Sequence, residues 1–129
     1  MKVLFIEDDR MNRRVVRDML EVVGVDMVEA ESGDEGLRQI DAGDFDMVLV
    51  DLRMPGMDGI TAIRHIRGRG DARAAVPIIV VTADTAVDLR DRCIAAGANE
   101  VLFKPVAMDA LFEAMGRLLA ADPDGGMIG

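Results

Sequence analysis

The stretch from Met47 to Gly59, MVLVDLRMPGMDG, decides the fold of this 129-residue chain. It begins with four consecutive apolar residues, and such a short β-rich run is typical of a strand buried on both faces of a parallel sheet. The strand ends at Asp51, after which Pro55, Gly56 and Gly59 prevent a strand or helix from continuing. Open parallel sheets bind ligands beyond the carboxyl ends of their strands. We therefore expect Asp51 to lie where the chemistry of this protein takes place.

The composition predicts a single domain with a core of its own. Half of the residues are hydrophobic and four are aromatic, and at this length neither metals nor disulfides are needed to support a core. The net charge of −9 argues against a nucleic acid or an anionic membrane as partner. The single cysteine, the short N-terminal apolar run and the absence of any membrane-length apolar run predict a cytoplasmic protein.

Strand-like and helix-like segments alternate along the whole chain. The other predicted strands are residues 3–6, 26–30, 76–82 and 100–104. The predicted helices lie within residues 11–23, 32–41, 60–68, 85–96 and 108–120, and residues 68–75 are predicted to be a polar, flexible connection. Five strands alternating with five helices predict a doubly wound parallel α/β sheet with right-handed crossovers. Residues 1–120 form the predicted domain, and residues 121–129 are predicted to be a flexible acidic and glycine-rich tail.

The first predicted helix has an apolar face and a charged face. The residues that share the apolar face are Val15, Val16, Met19, Leu20 and Val23. Arg13, Arg14 and Arg17 are predicted to lie largely outside it. These arginines are either a solvated face or a docking surface for an acidic partner, and the pattern leaves both open.

Polar side chains follow four of the five predicted strands. Glu7 and Asp8 follow the first strand, Asp51 the third, Thr82 the fourth, and Lys104 ends the fifth. Three carboxylates at one edge repel one another, since a pair of unit charges 4 Å apart costs about 4 kcal/mol at an effective dielectric constant near 20. Mg²⁺ relieves this repulsion, keeps several waters and binds few carboxylates, so it suits such a site.

These motifs, in this order, resemble the receiver domain of two-component response regulators. They are the Glu7–Asp8 pair, the D-x-x-M-P-x-M-D-G loop that begins at Asp51, the Thr-Ala pair at Thr82 and the Lys-Pro pair at Lys104. The resemblance covers residues 2 to about 120. It implies a flavodoxin-like (βα)5 fold with five parallel strands in the order 2-1-3-4-5. The bond between Lys104 and Pro105 is usually cis in this family, which the sequence leaves open.

The resemblance implies a phosphoacceptor site that binds a metal ion. Asp51 would be the phosphoacceptor and, with Asp8, a direct Mg²⁺ ligand. Glu7 would hold the metal through water, and the main-chain carbonyl of Arg53 would complete the set. Mn²⁺ could substitute for Mg²⁺. The phosphoryl group would come from a histidine kinase or a histidine phosphotransfer protein, and the downstream target is left unspecified.

The resemblance also implies a conformational switch. Lys104 and the Thr82 hydroxyl would neutralise charge on the phosphoryl oxygens. Thr82 would then move toward phosphorylated Asp51 and change the face formed by the fourth helix, the fifth strand and the fifth helix. The family has an aromatic residue three positions before the lysine, where this chain has Val101. We therefore predict a smaller or differently built change.

Two further positions flank the mouth of the implied site. Arg53 lies two residues after the acceptor, and Asp84 lies two residues after Thr82. In this family both positions tune hydrolysis of the acyl phosphate. Their opposite charges could pair across the mouth and hinder an attacking water molecule.

Four other residues have plainer interpretations. Asp9 and Asp58 are predicted to be helix N-caps. His65 lies off the apolar stripe of its helix and is predicted to be exposed, rather than part of a phosphohistidine relay. Cys93 is predicted to be an inert thiol in the core.

Three classes of function are weighed. The first is a phosphoacceptor receiver that catalyses only its own phosphorylation and dephosphorylation. The second is a phosphatase with an aspartate nucleophile, which needs a second aspartate two residues later, where this chain has Arg53. The third is a degenerate receiver that acts only as a binding module, which the intact set of Asp51, Thr82 and Lys104 disfavours. We expect no DNA-binding domain, and hence a stand-alone regulator or the receiver of a hybrid histidine kinase.

Overall fold

A computed structural model of the chain describes residues 1–120, so the predicted tail lies outside the described residues. The strands are β1 (Lys2–Ile6), β2 (Asp26–Ala30), β3 (Met47–Val50), β4 (Ile78–Thr82) and β5 (Glu100–Phe103). The helices are α1 (Arg10–Val22), α2 (Gly33–Ala42), α3 (Gly59–Arg67), α4 (Leu89–Ala96) and α5 (Met108–Ala120). Within this part of the chain, no helix is long and apolar enough to cross a membrane.

The five strands form one parallel sheet in the order β2-β1-β3-β4-β5, as predicted. Alternate strand residues point to opposite faces, so each face of the sheet has its own core. One core packs strand residues such as Leu4 and Val50 against Ile63 of α3 and Cys93 of α4. The other core lies under α1 and α5, and its members include Phe5, Leu49, Val81, Val16 and Leu111. The predicted doubly wound architecture is confirmed.

The fourth strand and the connection before it differ from the prediction. The strand begins at Ile78 rather than at residue 76, because Pro77 has no N–H for the ladder and contributes its carbonyl, which accepts from Val48 N at 2.9 Å. The predicted flexible connection contains a short 3-10 helix (Ala72–Ala75) whose first turn is capped by the Asp71 side chain. This connection is therefore partly ordered.

The inward face of α1 is also rotated from the predicted one. The buried positions are Arg13, Val16 and Leu20, which are spaced by three and four residues on one side of the helix. Val15 is 43 % exposed, and Val23 is exposed at the C-cap. The prediction was wrong for these two valines and for Arg13, because a buried arginine occupies a position that an apolar pattern assigns to solvent.

The predicted helix caps are present. The Asp9 carboxylate accepts from two N–H groups in the first turn of α1, and the Asp58 carboxylate accepts from the Thr61 N–H at 2.8 Å in α3. Ser32 accepts from the N–H of Glu35 at the start of α2, at 3.1 Å. Asp9 and Asp58 are therefore confirmed as caps, and they begin α1 and α3 close to the carboxyl edge of the sheet.

Candidate functional site

The carboxyl edge of the sheet gathers the polar side chains that the sequence singled out. Because the strands are parallel, the residues that follow β1, β3 and β5 meet at one edge. The carboxylates of Glu7, Asp8 and Asp51 each have an oxygen within 4.8 Å of the others. The Lys104 ammonium lies between two of them, 2.6 Å from Glu7 Oε1 and 3.3 Å from Asp51 Oδ2. One ammonium therefore contacts two of three clustered carboxylates.

The site is buried on the protein side and open at one point. Glu7 and Thr82 have no exposed surface and Asp51 is 5 % exposed, whereas Asp8 is exposed to solvent. The Asp51 N–H donates to Ile6 O at 3.0 Å, which fixes the main chain of Asp51 to β1. The carboxylate cluster is therefore exposed to solvent mainly at Asp8.

The charge of Glu7 is incompletely compensated. Glu7 Oε1 accepts from Lys104, whereas Oε2 is buried and has no hydrogen-bond partner among the described residues. Burial and the adjacent Asp51 carboxylate raise the pKa of Glu7 to about 7, against the opposing effect of Lys104. Burial alone would lower the pKa of Lys104, but its hydrogen bond to Glu7 and the charges of Asp51 and Glu7 raise it.

These groups fit a divalent, oxygen-preferring cation. All the donors are carboxylate oxygens, and the unpartnered Oε2 of Glu7 is an acceptor that only a cation, a proton or a water molecule can satisfy. A bound cation would also favour the ionised form of Glu7, which burial opposes. The donor set therefore fits a divalent, oxygen-preferring cation such as Mg²⁺.

Gly59 places the start of α3 against the main chain of Asp51. A Cβ atom on residue 59 would lie 2.4 Å from Asp51 O and 2.8 Å from Leu52 Cα. The Gly59 N–H donates to Leu52 O at 3.0 Å, which closes the loop between β3 and α3. Glycine is therefore required here by the close approach of two backbone segments.

Thr82 ends β4 at the same edge, with its hydroxyl engaged in the loop that follows. Thr82 Oγ1 accepts from the Asp84 N–H at 3.1 Å, and Thr82 O accepts from the Lys104 N–H at 2.8 Å. The bond between Lys104 and Pro105 is cis. Val101 is 4 % exposed and pairs with Val80, so it is a core residue of β5.

The predicted pair at the mouth is in contact. Arg53 Nη2 lies 3.2 Å from Asp84 Oδ2, and the Arg53 side chain is 75 % exposed. The hydrogen bond from the Ala86 N–H and, to a lesser extent, the contact with Arg53 hold the pKa of Asp84 below its usual value. The ion pair exists, and its effect on hydrolysis stays a prediction.

Sequence reasoning missed one residue next to the site. Arg13 is 7 % exposed, and its Nη1 donates to the main-chain oxygen of Glu7 at 2.8 Å. Arg14 is exposed and pairs with Asp18, as a solvated face predicts, whereas Arg17 is half-buried against β2. The signal for Arg13 was its spacing from Val16 and Leu20, which places it on the inward stripe.

The two other plain interpretations are confirmed. His65 is exposed on α3, and Cys93 is fully buried in the core under α4. Burial raises the pKa of the Cys93 thiol, which keeps it protonated and unreactive. Neither residue takes part in the candidate site.

Comparisons with known proteins agree with this geometry. The family model described as "Response regulator receiver domain" matches residues 3–116. The chain is 34 % identical over 111 residues to the sensor histidine kinase RcsC of Salmonella typhi, covering 86 % of this chain and 11 % of that protein. It is 35 % identical over 115 residues to the virulence sensor protein BvgS of Bordetella bronchiseptica, covering 86 % and 9 %. The chain thus spans about a tenth of the length of these relatives.

Solved structures share the fold over nearly their whole length. One is the receiver domain of a sensor histidine kinase from Pseudomonas aeruginosa PAO1, with a magnesium ion coordinated in its active site cleft. It is 31 % identical with a TM-score of 0.84, covering 93 % of this chain and 98 % of that one. A chemotaxis response regulator of Vibrio cholerae is 28 % identical with a TM-score of 0.83, covering 92 % and 98 %.

Proposed function

The chain belongs to the response regulator receiver domain family of two-component signalling, and from that premise we propose that Asp51 accepts a phosphoryl group from a phosphohistidine. The observation that supports this role most directly is the cluster of three carboxylates around one ammonium, with Asp51 reachable past the exposed Asp8. The donor would be a histidine kinase or a histidine phosphotransfer protein. The downstream protein target is unspecified.

The proposed reaction transfers one phosphoryl group between two proteins. A carboxylate oxygen of Asp51 forms a new bond to phosphorus as the bond between phosphorus and the donor imidazole nitrogen breaks. The bonding pair stays on that nitrogen, and the imidazole leaves neutral because its other nitrogen carries a proton. Lys104, now 3.3 Å from Asp51 Oδ2, is placed to bind a phosphoryl oxygen. Thr82 supplies a hydroxyl to another oxygen once it gives up its contact with Asp84.

Glu7, Asp8, Asp51 and the main-chain carbonyl of Arg53 would hold the Mg²⁺ ion, and Mn²⁺ could take its place. When bound, the cation neutralises charge on the phosphoryl oxygens. Asp8 is the exposed carboxylate of the set, whereas Glu7 and Asp51 are buried. The unpartnered oxygen of Glu7 gives the site an acceptor that the described residues do not satisfy.

The signal would pass from the acceptor to the face formed by α4, β5 and α5. Thr82 lies at the end of β4, and its inward movement would draw the loop that precedes α4. Val101 is a small core residue, so the aromatic part of the family's relay is absent from this position and the change is expected to be smaller. The protein would catalyse only its own phosphorylation and dephosphorylation.

Residues 1–120 would form the receiver domain. The setting would be the cytoplasm, with neither nucleic acid nor membrane as a partner. The chain would work either as a stand-alone regulator or as the receiver of a hybrid histidine kinase, as in the sensor kinases to which it is similar.

Incubation with Mg²⁺ and acetyl phosphate, followed by intact mass measurement, tests the proposed function. We expect one phosphoryl adduct on the unaltered protein, no adduct on Asp51→Asn, and an unchanged adduct on Asp46→Asn. Asp46 is a matched control, since it is an exposed aspartate at the opposite end of β3. Steady release of phosphate over many turnovers would indicate the phosphatase class instead. An unmodified wild-type protein would indicate a degenerate receiver.

A further inference from the structure

The main chain of Glu7 is held from both sides at the point where β1 ends. Its N–H donates to Ala30 O at 2.9 Å, and its carbonyl accepts from Arg13 Nη1 at 2.8 Å. The preceding carbonyl, Ile6 O, is the last on β1 that the neighbouring strand β3 uses, through the Asp51 N–H. The Glu7 carbonyl is buried and beyond the ladder, so a side chain supplies the donor that a strand would otherwise supply.

Arg13 is itself fixed in place by a carboxylate on the neighbouring strand. Its Nε donates to Glu29 Oε1 at 2.9 Å, and Glu29 Oε2 accepts from Arg17 Nη2 at 2.6 Å. Glu31 Oε1 lies 3.6 Å from Arg13 Nη2. The planar guanidinium therefore donates through one nitrogen to the Glu7 carbonyl and through another to Glu29 on β2, in a fixed relative geometry.

The positive charge of Arg13 is balanced away from the candidate site. Its carboxylate contacts are Glu29 and Glu31, whereas its contact with Glu7 is to the main-chain oxygen. Arg13 therefore affects the acidic cluster mainly by fixing the position of the Glu7 main chain. Such an effect matters at Glu7, because the buried side chain has only one of its two oxygens hydrogen-bonded and depends on its backbone for its position.

We propose that Arg13 is a positioning residue of the metal site. By holding the Glu7 carbonyl, it fixes the turn at which the side chains of Glu7 and Asp8 take their places beside Asp51. This inference rests on the proposed magnesium-dependent function. It also ties the site to α1, because Arg13 lies in the first turn of the helix that Asp9 caps.

Calorimetric titration of the folded proteins with Mg²⁺, below the unfolding temperature of every variant, tests the proposal. Arg13→Met keeps an unbranched apolar stem and removes the donors, and we expect its Mg²⁺ dissociation constant to rise about tenfold. Arg13→Lys keeps one donor within reach of the Glu7 carbonyl, so it should remain within about threefold of the wild type. Arg14→Met, the exposed neighbour on the same helix, is the control and should bind Mg²⁺ as the wild type does.

A second measurement needs no variant. In an NMR titration of the wild type with Mg²⁺, the Nε–H resonance of Arg13 should shift with the same midpoint as the amides of Glu7 and Asp8. The Nε–H resonance of Arg14 should not shift. A positioning role predicts this shared midpoint, whereas a role in stability alone does not.

Three outcomes would overturn the inference and leave the proposed function intact. They are an Arg13→Met protein that binds Mg²⁺ within about twofold of the wild type, an Arg14→Met protein that is weakened equally, and an Arg13 resonance that ignores Mg²⁺ while Glu7 and Asp8 respond. An Arg13→Lys protein as weak as Arg13→Met would also contradict the assignment to the donated hydrogen bond. A wild-type protein that binds no Mg²⁺ would instead refute the proposed function.

Discussion

At the amino edge of the sheet Arg67 is bonded to four acceptors, whereas at the carboxyl edge Glu7 has one bonded oxygen and one without a partner among the described residues. The acceptors of Arg67 are Gly97 O at 2.8 Å, Ala74 O at 2.7 Å, Val76 O at 2.6 Å and Asn99 Oδ1 at 2.8 Å. Both side chains are ionisable; Glu7 is fully buried and Arg67 is half-buried. The fold supplies hydrogen-bond acceptors for Arg67, whereas it leaves Glu7 Oε2 without a partner among the described residues.

Ion pairs surround Arg67 at the same edge. Arg69 pairs with Asp41 and Asp71, and Arg73 pairs with Asp44 at 2.9 Å. Exposed pairs of this kind add little stability each, but they leave few charges at this edge without a partner. The charges of the amino edge are therefore paired within the fold, whereas the carboxyl edge keeps a buried acceptor that the described residues leave unsatisfied.

Removal of Lys104 should have the largest effect on reactivity. Lys104→Met takes away the ammonium that contacts both Glu7 and Asp51, so phosphorylation by acetyl phosphate should slow by about a hundredfold or more. Lys2→Met, which alters the chain's other lysine at the amino edge, should react like the wild type. The rate is measured from the growth of the adduct by mass. Equal rates for the two variants would remove the basis for assigning reactivity to one edge.

Removal of Arg67 should have the largest effect on stability. Arg67→Met removes the donor from three main-chain carbonyls, while Asn99 Oδ1 keeps the Ile78 N–H, and we expect the free energy of unfolding to fall by about 3 kcal/mol. Arg64→Met, an exposed position one turn earlier, should change it by less than about 0.5 kcal/mol. Urea denaturation measures both. The Mg²⁺ affinity of folded Arg67→Met should match the wild type, and a large loss there would show that the edges are not independent.

The pH dependence of stability should differ between the edges. The pKa of Glu7 is raised from 4.5 to about 7, so between these pH values the folded protein keeps a proton that the unfolded chain has lost. The metal-free protein should therefore lose stability, on the order of 3 kcal/mol, as pH rises from about 4.5 to 7. At the amino edge the hydrogen bond from Arg69 lowers the pKa of Asp71, so its contribution is present above pH 3.8 and is lost as pH falls below it.

Thermal or urea unfolding at a series of pH values checks this. Glu7→Gln should remove the decline between pH 4.5 and 7, and so should saturating Mg²⁺, because the cation binds the ionised carboxylate. Asp71→Asn should leave that decline in place. A metal-free wild type whose stability is level or rising across this interval would contradict the assigned state of Glu7.

The smallest effect is expected at the mouth of the site. If the Arg53–Asp84 pair hinders water, Arg53→Ala and Asp84→Ala should each shorten the lifetime of the phosphoryl adduct by about twofold, since exposed pairs are weak. The double variant should be no shorter-lived than either single one. Arg14→Ala, which breaks an exposed pair on α1, is the control. Lifetimes are measured as loss of adduct mass after the donor is removed, and unchanged lifetimes would end the hypothesis.

The carboxyl edge could be predicted from the sequence largely because its parts are local. In a chain whose strands and helices alternate, the apolar run before Asp51 is most simply a buried strand. Asp9 and Asp58 lie at the positions where helices begin. The resemblance then placed Lys104 beside Glu7, which lies 97 positions away in the sequence. What it could not supply was the unpartnered oxygen of Glu7 or its raised pKa, because both depend on distances in the folded chain.

The prediction from sequence failed mainly at the arginines, and the failures share one physical reason. A periodicity argument counts arginine as polar, but its long apolar stem allows the guanidinium to reach a buried acceptor. Arg13 therefore lies on the inward face of α1, where the pattern predicted solvent. Arg67 holds the segment before β4 by donating to two of its main-chain carbonyls. The sequence predicted a flexible connection here, because residue types do not reveal which main-chain carbonyls act as acceptors.

The contact beneath Asp51 limits how this loop can be altered. The space beside residue 59 is already filled by the acceptor's own peptide, so even a methyl group there would have to push Asp51 or the start of α3 aside. Anyone who permutes the chain, inserts a tag or grafts a binding peptide near this turn must keep a glycine at its end. Tolerance to sequence change in this loop is therefore governed by steric room below the acceptor as much as by the chemistry above it.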